Sequence, residues 1–224
     1  MAMTRDDLSA VPGVGECDLD AETVAALPDG SAPAPWAAEC ASIIWYARGN
    51  RAAAAASGVE GRPLIVIGGL VSYAQTPVGS YREVFGMIAL AHGRAVRGTI
   101  PFMAVDSPAS LVGGRSNWSL PKSLASFEGS PEQGSMSASG ATWQVQATAR
   151  PFGPHYPVPM RGRLVQRWPD GRPREAVLSG HGRARSALVT VEVRSAGPLA
   201  EWLRPGQHPG AVLSATRFAL SAMH

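Results

Sequence analysis

Of the 20 Lys and Arg residues in the chain, 19 are arginine and one, Lys122, is lysine. It lies in GRSNWSLPKSLASFEG, residues 114–129. A guanidinium stays protonated in any protein and cannot act as a nucleophile. An ammonium can lose its proton when desolvated and then attack a carbonyl. An Ala-, Gly-, Arg- and Pro-rich chain has the look of GC-rich coding, which explains a lone lysine by chance. Its setting offers a chemical explanation. Trp118, Leu120 and Pro121 are apolar, and apolar surroundings disfavour the charged form, drawing an amine well below its usual pKa of about 10.4. An amine poised near neutrality can form a Schiff base.

Position follows from the flanking residues. SPASLVGGRSNW (107–118) opens with Ser107 as N-cap and Pro108 at the first helical position, a helix-start pattern. Pro121 ends any helix and forces an extended entry. The residues KSLASFE are predicted to run on as a strand, with Lys122, Leu124 and Ser126 on one face. Lys122 therefore sits at a helix-to-strand corner.

Most of the chain reads as strand. ECASIIWYARG (39–49), RPLIVIGGLVSYA (62–74), SYREVFGMIAL (80–90), RAVRGTIPFMAVD (94–106), ATWQVQATARP (141–151), RGRLVQRW (161–168), REAVLSGHGRARSALVTVEV (174–193) and VLSATRFALSA (212–222) are apolar or alternating runs between Gly/Pro turns. Gly68-Gly69 marks a bulge or a close backbone approach. Two short helices, DAETVAAL with Asp20 as N-cap and PLAEWL, interrupt the pattern. The AAAAA run at 52–56 is a helical or loop insertion. The fold class is mainly β, a β-rich α+β chain, and a closed antiparallel barrel would remove the exposed edges of so many strands. Residues 1–35 form an N-terminal extension with a short helix and a linker; residues 36–224 form the barrel domain.

The run from Asp106 through GGR, Trp118 and the Pro121-Lys122 pair to Phe127 resembles the acetoacetate decarboxylase superfamily, whose GRE-x-x-x-x-PK signature ends on the Schiff-base lysine. GSYREV (79–84) is similar to its G-x-Y-x-E segment. The order of Tyr/Glu strand, next strand, helix, GR and PK also agrees. The resemblance spans about residues 35–222 and implies an antiparallel β barrel or cone around a central cavity. It implies Lys122 as nucleophile and places Glu83 at the family's active-site glutamate, as general acid/base. It needs no metal and no organic cofactor, and it implies a homo-oligomer. The chain also departs from the family. Ser123 follows the lysine where a second lysine is common. The upstream carboxylate would fall near Gly68-Gly69, no arginine stands around Ala37–Glu39, and Ser116 replaces the glutamate of GRE.

Each further candidate has a plain structural alternative. Glu83 is either the acid/base or a surface carboxylate paired with Arg82. Tyr81 shares its strand face while Arg82 points away, which makes Tyr81 a cavity companion. Arg115 either binds a substrate carboxylate bidentately or clamps the helix C-terminus. Trp118 is a cavity wall that contacts substrate or a core residue. Ser72, Tyr73 and Gln75 are further candidates for the cavity lining.

Several function classes find no support. There is no G-x-S-x-G elbow and no phosphate-binding loop. Cys17 and Cys40 lack metal-ligand spacing, and the histidines are scattered. The sequence pI is near 9.2 but the net charge is only +3, with no basic run or basic–aromatic interleaving, so no nucleic-acid partner is expected. No signal peptide or membrane span is expected either, which makes the default location cytoplasmic. The residues together suggest a lyase of natural-product metabolism acting on a β-keto acid or related keto compound through a Lys122 Schiff base. The alternatives are aldol, dehydration, cyclisation or isomerisation of a larger apolar substrate without an imine, and ligand binding without turnover.

Overall fold

The alternating runs resolve into eleven strands in a computed structural model that describes residues 3–224. β1 (Trp36–Arg48), β2 (Arg62–Gln75), β3 (Tyr81–His92) and β4 (Ala95–Val105) form an antiparallel meander. β5 (Lys122–Leu124), β6 (Ser126–Ser130), β7 (Ser135–Ser139), β8 (Trp143–Pro151), β9 (Tyr156–Arg167), β10 (Pro173–Ser195) and β11 (Gly206–Leu220) complete the sheet. The path β11-β1-β2-β3-β4-β9-β10 closes on itself because β10 also pairs with β11. One edge of the long β10 serves two partners: residues 173–184 pair with β9 and residues 187–195 with β8. Closure removes the edges that a sheet of this size would otherwise expose. The barrel expectation thus holds, with β5 as a parallel addition to β4.

The core fills the space between the two halves. Trp45, Val66, Leu70, Val84, Ile88 and Phe102 face Val145, Ala147, Val189 and Val191 in one buried cluster. Trp143 meets Phe102 edge-on at 5.0 Å between ring centroids. The Gly68-Gly69 pair is a close approach, not a bulge: register runs through it unbroken against both neighbours. A Cβ at Gly68 would collide with the indole of Trp45, and one at Gly69 with the ring of Phe85.

Among the described residues five α-helices punctuate the sheet. α1 (Arg5–Ser9) begins in a capping box between Thr4 and Asp7, which sequence reading did not anticipate. α2 (Ala21–Ala26) carries the expected Asp20 cap, bonded to Thr23 N. The alanine run is helical, as α3 (Arg51–Ala56). α4 (Pro108–Trp118) starts at Ser107 as expected, and α5 (Leu199–Leu203) closes one end of the core with Trp202. The run after Lys122 differs from expectation. It is two strands broken at Ala125, because β5 lies along β4 while β6 turns to pair with β7. β9 also begins earlier than expected, at Tyr156, through Pro157 and Pro159. Those prolines are tolerated because that stretch pairs on one side only, with β10.

Residues 3–35 add no strand. They run as a strap over the corner between α4 and β5, bonded to the barrel through Val14 N to Pro101 O at 2.9 Å and Ser31 Oγ to Ala109 O at 2.8 Å. Cys17 and Cys40 are both unpaired thiols. No helix among the described residues is long and apolar enough to cross a membrane. Gly68→Ala is expected to destabilise the barrel by roughly 1–3 kcal/mol through overpacking against Trp45. Urea unfolding tests this, and a variant as stable as the parent would contradict the close approach.

Candidate active site

Lys122 is placed by the end of α4. The helix stops at Ser119, in the left-handed region at φ 53°, and the Ser119 and Leu120 amides bond back to Arg115 O and Gly114 O. Pro121 then turns the chain so that Lys122 opens β5 opposite Met103 of β4. Its aliphatic stem lies flat on Gly114, where an added Cβ would sit 2.5 Å from Lys122 Cδ. Gly113 gives the same clearance to Trp36 and Ser31. Gly114 thus lets the helix lie against the lysine, and Gly113 lets it lie against β1 and the strap.

The amine ends in a polar cluster that is nearly sealed. Lys122 is 3% exposed and Glu83 also 3%. Nζ donates to Glu83 Oε2 at 2.7 Å, to Ser110 Oγ at 2.9 Å and to Tyr81 OH at 3.5 Å. It also lies 5.0 Å from the centroid of the Tyr81 ring. Tyr73 OH donates to the other carboxylate oxygen, Oε1, at 3.0 Å, and its ring stacks on Tyr81 at 4.5 Å. Strand alternation explains the grouping. Tyr81 and Glu83 share one face of β3 and Tyr73, paired with Tyr81, shares it from β2, while Arg82 lies on the opposite face, that of Val84, and meets Asp106 at 2.7 Å.

The electrostatics differ from what the neighbouring sequence suggested. Burial does draw the Lys122 pKa down, but the Glu83 carboxylate and Tyr81 outweigh it and hold the pKa above its ordinary 10.5. The expected depressed lysine pKa is therefore corrected: residues adjacent in sequence are apolar, but those adjacent in space include a carboxylate. Burial, reinforced by Glu83, raises Tyr73 well above its ordinary value and pushes Cys40 up to about 12.

Two candidates lie elsewhere. Arg115 is 1% exposed, and burial lowers its pKa to about 10. It donates Nε–H to Lys122 O at 2.7 Å and its two terminal nitrogens to Leu8 O and Cys17 O, each at 2.6 Å. With the guanidinium so occupied, the substrate-carboxylate assignment is corrected: Arg115 clamps the strap to the lysine's own backbone. Trp118 is core, its indole N–H bonded to Ser221 O at 2.7 Å and its ring edge-on to Trp36. It is therefore removed from the substrate-contacting set. Among the lining candidates Tyr73 is in the cluster, Gln75 is exposed and Ser72 is only half-buried. Ser110 went unremarked in the sequence. Its signal was there: Ser110 and Gly114 are four apart on one helix, hence on one face, and Gly114 is where the lysine stem rests.

The strap covers this cluster. Leu8 and Leu27 are buried in one apolar group with Tyr73, Tyr81, Leu111 and Cys40. Above them is a shallow cavity of about 270 Å³ lined by Asp20, Glu22, Thr23, Ala26, Leu27, Pro108 and Leu124.

A known family matches this chain. The acetoacetate decarboxylase family model matches residues 58–149, which include Glu83 and Lys122. An enduracididine biosynthesis enzyme, MppR, complexed with pyruvate is 15% identical with a TM-score of 0.59, covering 86% of this chain and 90% of that one. An acetoacetate decarboxylase from Legionella pneumophila is 15% identical with a TM-score of 0.58, covering 88% of each chain. An acetoacetate decarboxylase-like enzyme from Sphingomonas wittichii RW1 is 15% identical with a TM-score of 0.54, covering 84% and 91%. No curated protein matches.

Lys122→Met leaves a buried Glu83 carboxylate without its cation and is expected to cost roughly 3–5 kcal/mol. Adding Glu83→Gln should return most of that loss in urea unfolding. The folded pKa of Lys122 lies above 10.5, so the pair's contribution is complete below the unfolded pKa and falls as pH rises through the folded one. The parent should accordingly lose stability relative to the double variant only at strongly alkaline pH.

Proposed function

We propose that this chain, a divergent member of the acetoacetate decarboxylase superfamily, is a lyase that forms an imine between Lys122 and the carbonyl carbon of a keto compound. The observation that carries the reading is the 2.7 Å contact between the buried amine and Glu83. A lysine and a carboxylate in direct contact can pass one proton between them. Moving it from Nζ to Oε2 turns two buried charges into a neutral amine and a carboxylic acid, a shift that desolvation assists and the pair's own attraction opposes. The nucleophile and its proton acceptor are therefore the same pair, and no net deprotonation by solvent is required.

The steps balance through Glu83. The Nζ lone pair forms the C–N bond as the carbonyl π pair moves to oxygen, which takes the Glu83 proton. The nitrogen then sheds a proton to the carboxylate. Glu83 returns it to the carbinolamine hydroxyl, water leaves, and the nitrogen lone pair closes the C=N bond of an iminium beside a carboxylate. That iminium is an electron sink. Either a C–C bond or an α C–H bond can then deliver its electron pair to it, and in the second case Glu83 accepts the proton. The enamine then takes a proton at carbon, from Glu83 after C–H cleavage or from water after C–C cleavage, and water returning to the iminium along the same path frees the amine. Ser110 and Tyr81 hold Nζ, and Tyr73 fixes the second oxygen of Glu83. Substrate reaches Nζ when Leu8 and Leu27 part from Tyr73 and Tyr81.

A role in natural-product metabolism is supported by the fold neighbour described as an enduracididine biosynthesis enzyme. A further structure of that neighbour holds the condensation product of pyruvate and imidazole 4-carboxaldehyde. A scaffold of this shape therefore accommodates carbonyl compounds.

The test is reductive trapping. Incubation with a panel of ketones and aldehydes and cyanoborohydride should add mass to the peptide containing Lys122, and Lys122→Arg should abolish the adduct. Glu83→Gln is expected to lower turnover by roughly 10²–10⁴-fold, the range for loss of a general acid/base. No adduct at Lys122 across the panel sinks the proposal.

A further inference from the structure

We infer that the carbonyl compound taken at Lys122 carries no carboxylate: the substrate is an uncharged, largely apolar ketone or aldehyde. This rests on the imine reading above and narrows it. The first ground is the charge inventory of the site. Lys122 and Glu83 neutralise each other in the resting ion pair, and an iminium beside the Glu83 carboxylate is neutral in the same way. A substrate carboxylate would leave one unbalanced negative charge in a nearly dry space, which is strongly unfavourable.

The cations nearest to hand are committed elsewhere. Arg115 gives all three of its nitrogens to backbone carbonyls. Arg82 points out of the site, to Asp106 and Phe127 O. Arg5 of the strap is bonded to Asp29 and to the carbonyls of Val24, Ala25 and Leu27. The side chains hydrogen-bonded to Nζ are those of Glu83, Ser110 and Tyr81, none of them a cation. The donors left for a ligand are the hydroxyls of Ser110 and Tyr81, which accept from Nζ and keep their own protons, and which suit a carbonyl or hydroxyl oxygen.

The second ground is the cover. Residues 1–35 hold seven carboxylates and one arginine, a formal charge of −6, while the rest of the chain carries +9 to reach the total of +3. The negative charge is thus concentrated on the segment that lies over the site. Asp20 and Glu22 line the outer cavity next to Leu27, Pro108 and Leu124, two residues beyond Lys122. Acidic side chains on the covering segment disfavour the approach of anions to it. What lies beneath it is apolar: Leu8, Leu27, Val71, Leu111 and Val112.

The reaction class follows. Without a carboxylate there is no carbon dioxide to lose, so the electron pair entering the iminium comes from an α C–H bond or, for a β-hydroxy ketone whose hydroxyl proton passes to Glu83, from the α C–C bond that releases a neutral carbonyl. In the C–H case Glu83 takes the α proton and an enamine forms. The enamine then adds to a second carbonyl, or expels a β-hydroxyl as water with the proton that Glu83 returns.

Matched pairs test this directly. Acetoacetate against methyl acetoacetate, and pyruvate against methyl pyruvate, differ by one charge at nearly constant shape. Each is trapped on the full-length protein with cyanoborohydride at neutral pH and low salt. The Lys122 adduct is quantified by mass spectrometry and divided by the adduct on free N-α-acetyl-lysine in the same mixture, which removes intrinsic electrophilicity. The expected result is at least a 10-fold normalised preference for the ester in both pairs. Equal trapping, or preference for the keto acid, overturns this inference and leaves the imine intact. Absence of any Lys122 adduct with all four compounds overturns both.

Discussion

A buried ammonium facing a buried carboxylate is the constraint around which this structure is arranged. Either ion alone would be prohibitively costly in a space from which water is nearly excluded. Together they fix several other choices. Glu83 needs a donor on its second oxygen, and Tyr73 supplies it; Lys122 needs acceptors for its remaining protons, and Ser110 and Tyr81 supply them. Each is satisfied from a different element, so the cluster exists only when β2, β3, α4 and β5 are in register.

Arg115 extends that dependence to the N-terminus. Its guanidinium ties the backbone of Lys122 to Leu8 and Cys17, so the strap and the helix-to-strand corner are joined by one side chain. The interaction is between a charge and neutral carbonyls, which leaves no second ion to balance. Glu16 anchors the strap at a further point, accepting from Ser195 Oγ and Leu199 N. The extension that looked like an appendage in the sequence therefore packs over the Lys122 cluster, and it carries a local excess of carboxylates.

Particular residues show how far sequence reading reached. Lys122 was singled out by its uniqueness and by Pro121, and Tyr81 with Glu83 by strand alternation; all three meet in space. The Ser107 cap, the Asp20 cap and the closed barrel followed from local rules of capping and edge protection. Arg115 and Trp118 fell away because their surroundings are set by residues about 100 positions distant, Leu8, Cys17 and Ser221. Ser110 was passed over because a serine in a first helical turn is ordinary until its facing partner is known.

Local chemistry is written in the order of residues. The sequence by itself determined that one amine would stand at a helix-to-strand corner, that a carboxylate and a tyrosine would share a strand face, and that the strands would close on themselves. It could not determine the charge state of that amine. Burial and a neighbouring carboxylate act on a pKa in opposite directions, and which one dominates depends on a 2.7 Å contact between residues 39 positions apart. The tertiary structure decided that sign, and with it whether Arg115 could greet a substrate or was bound to the backbone.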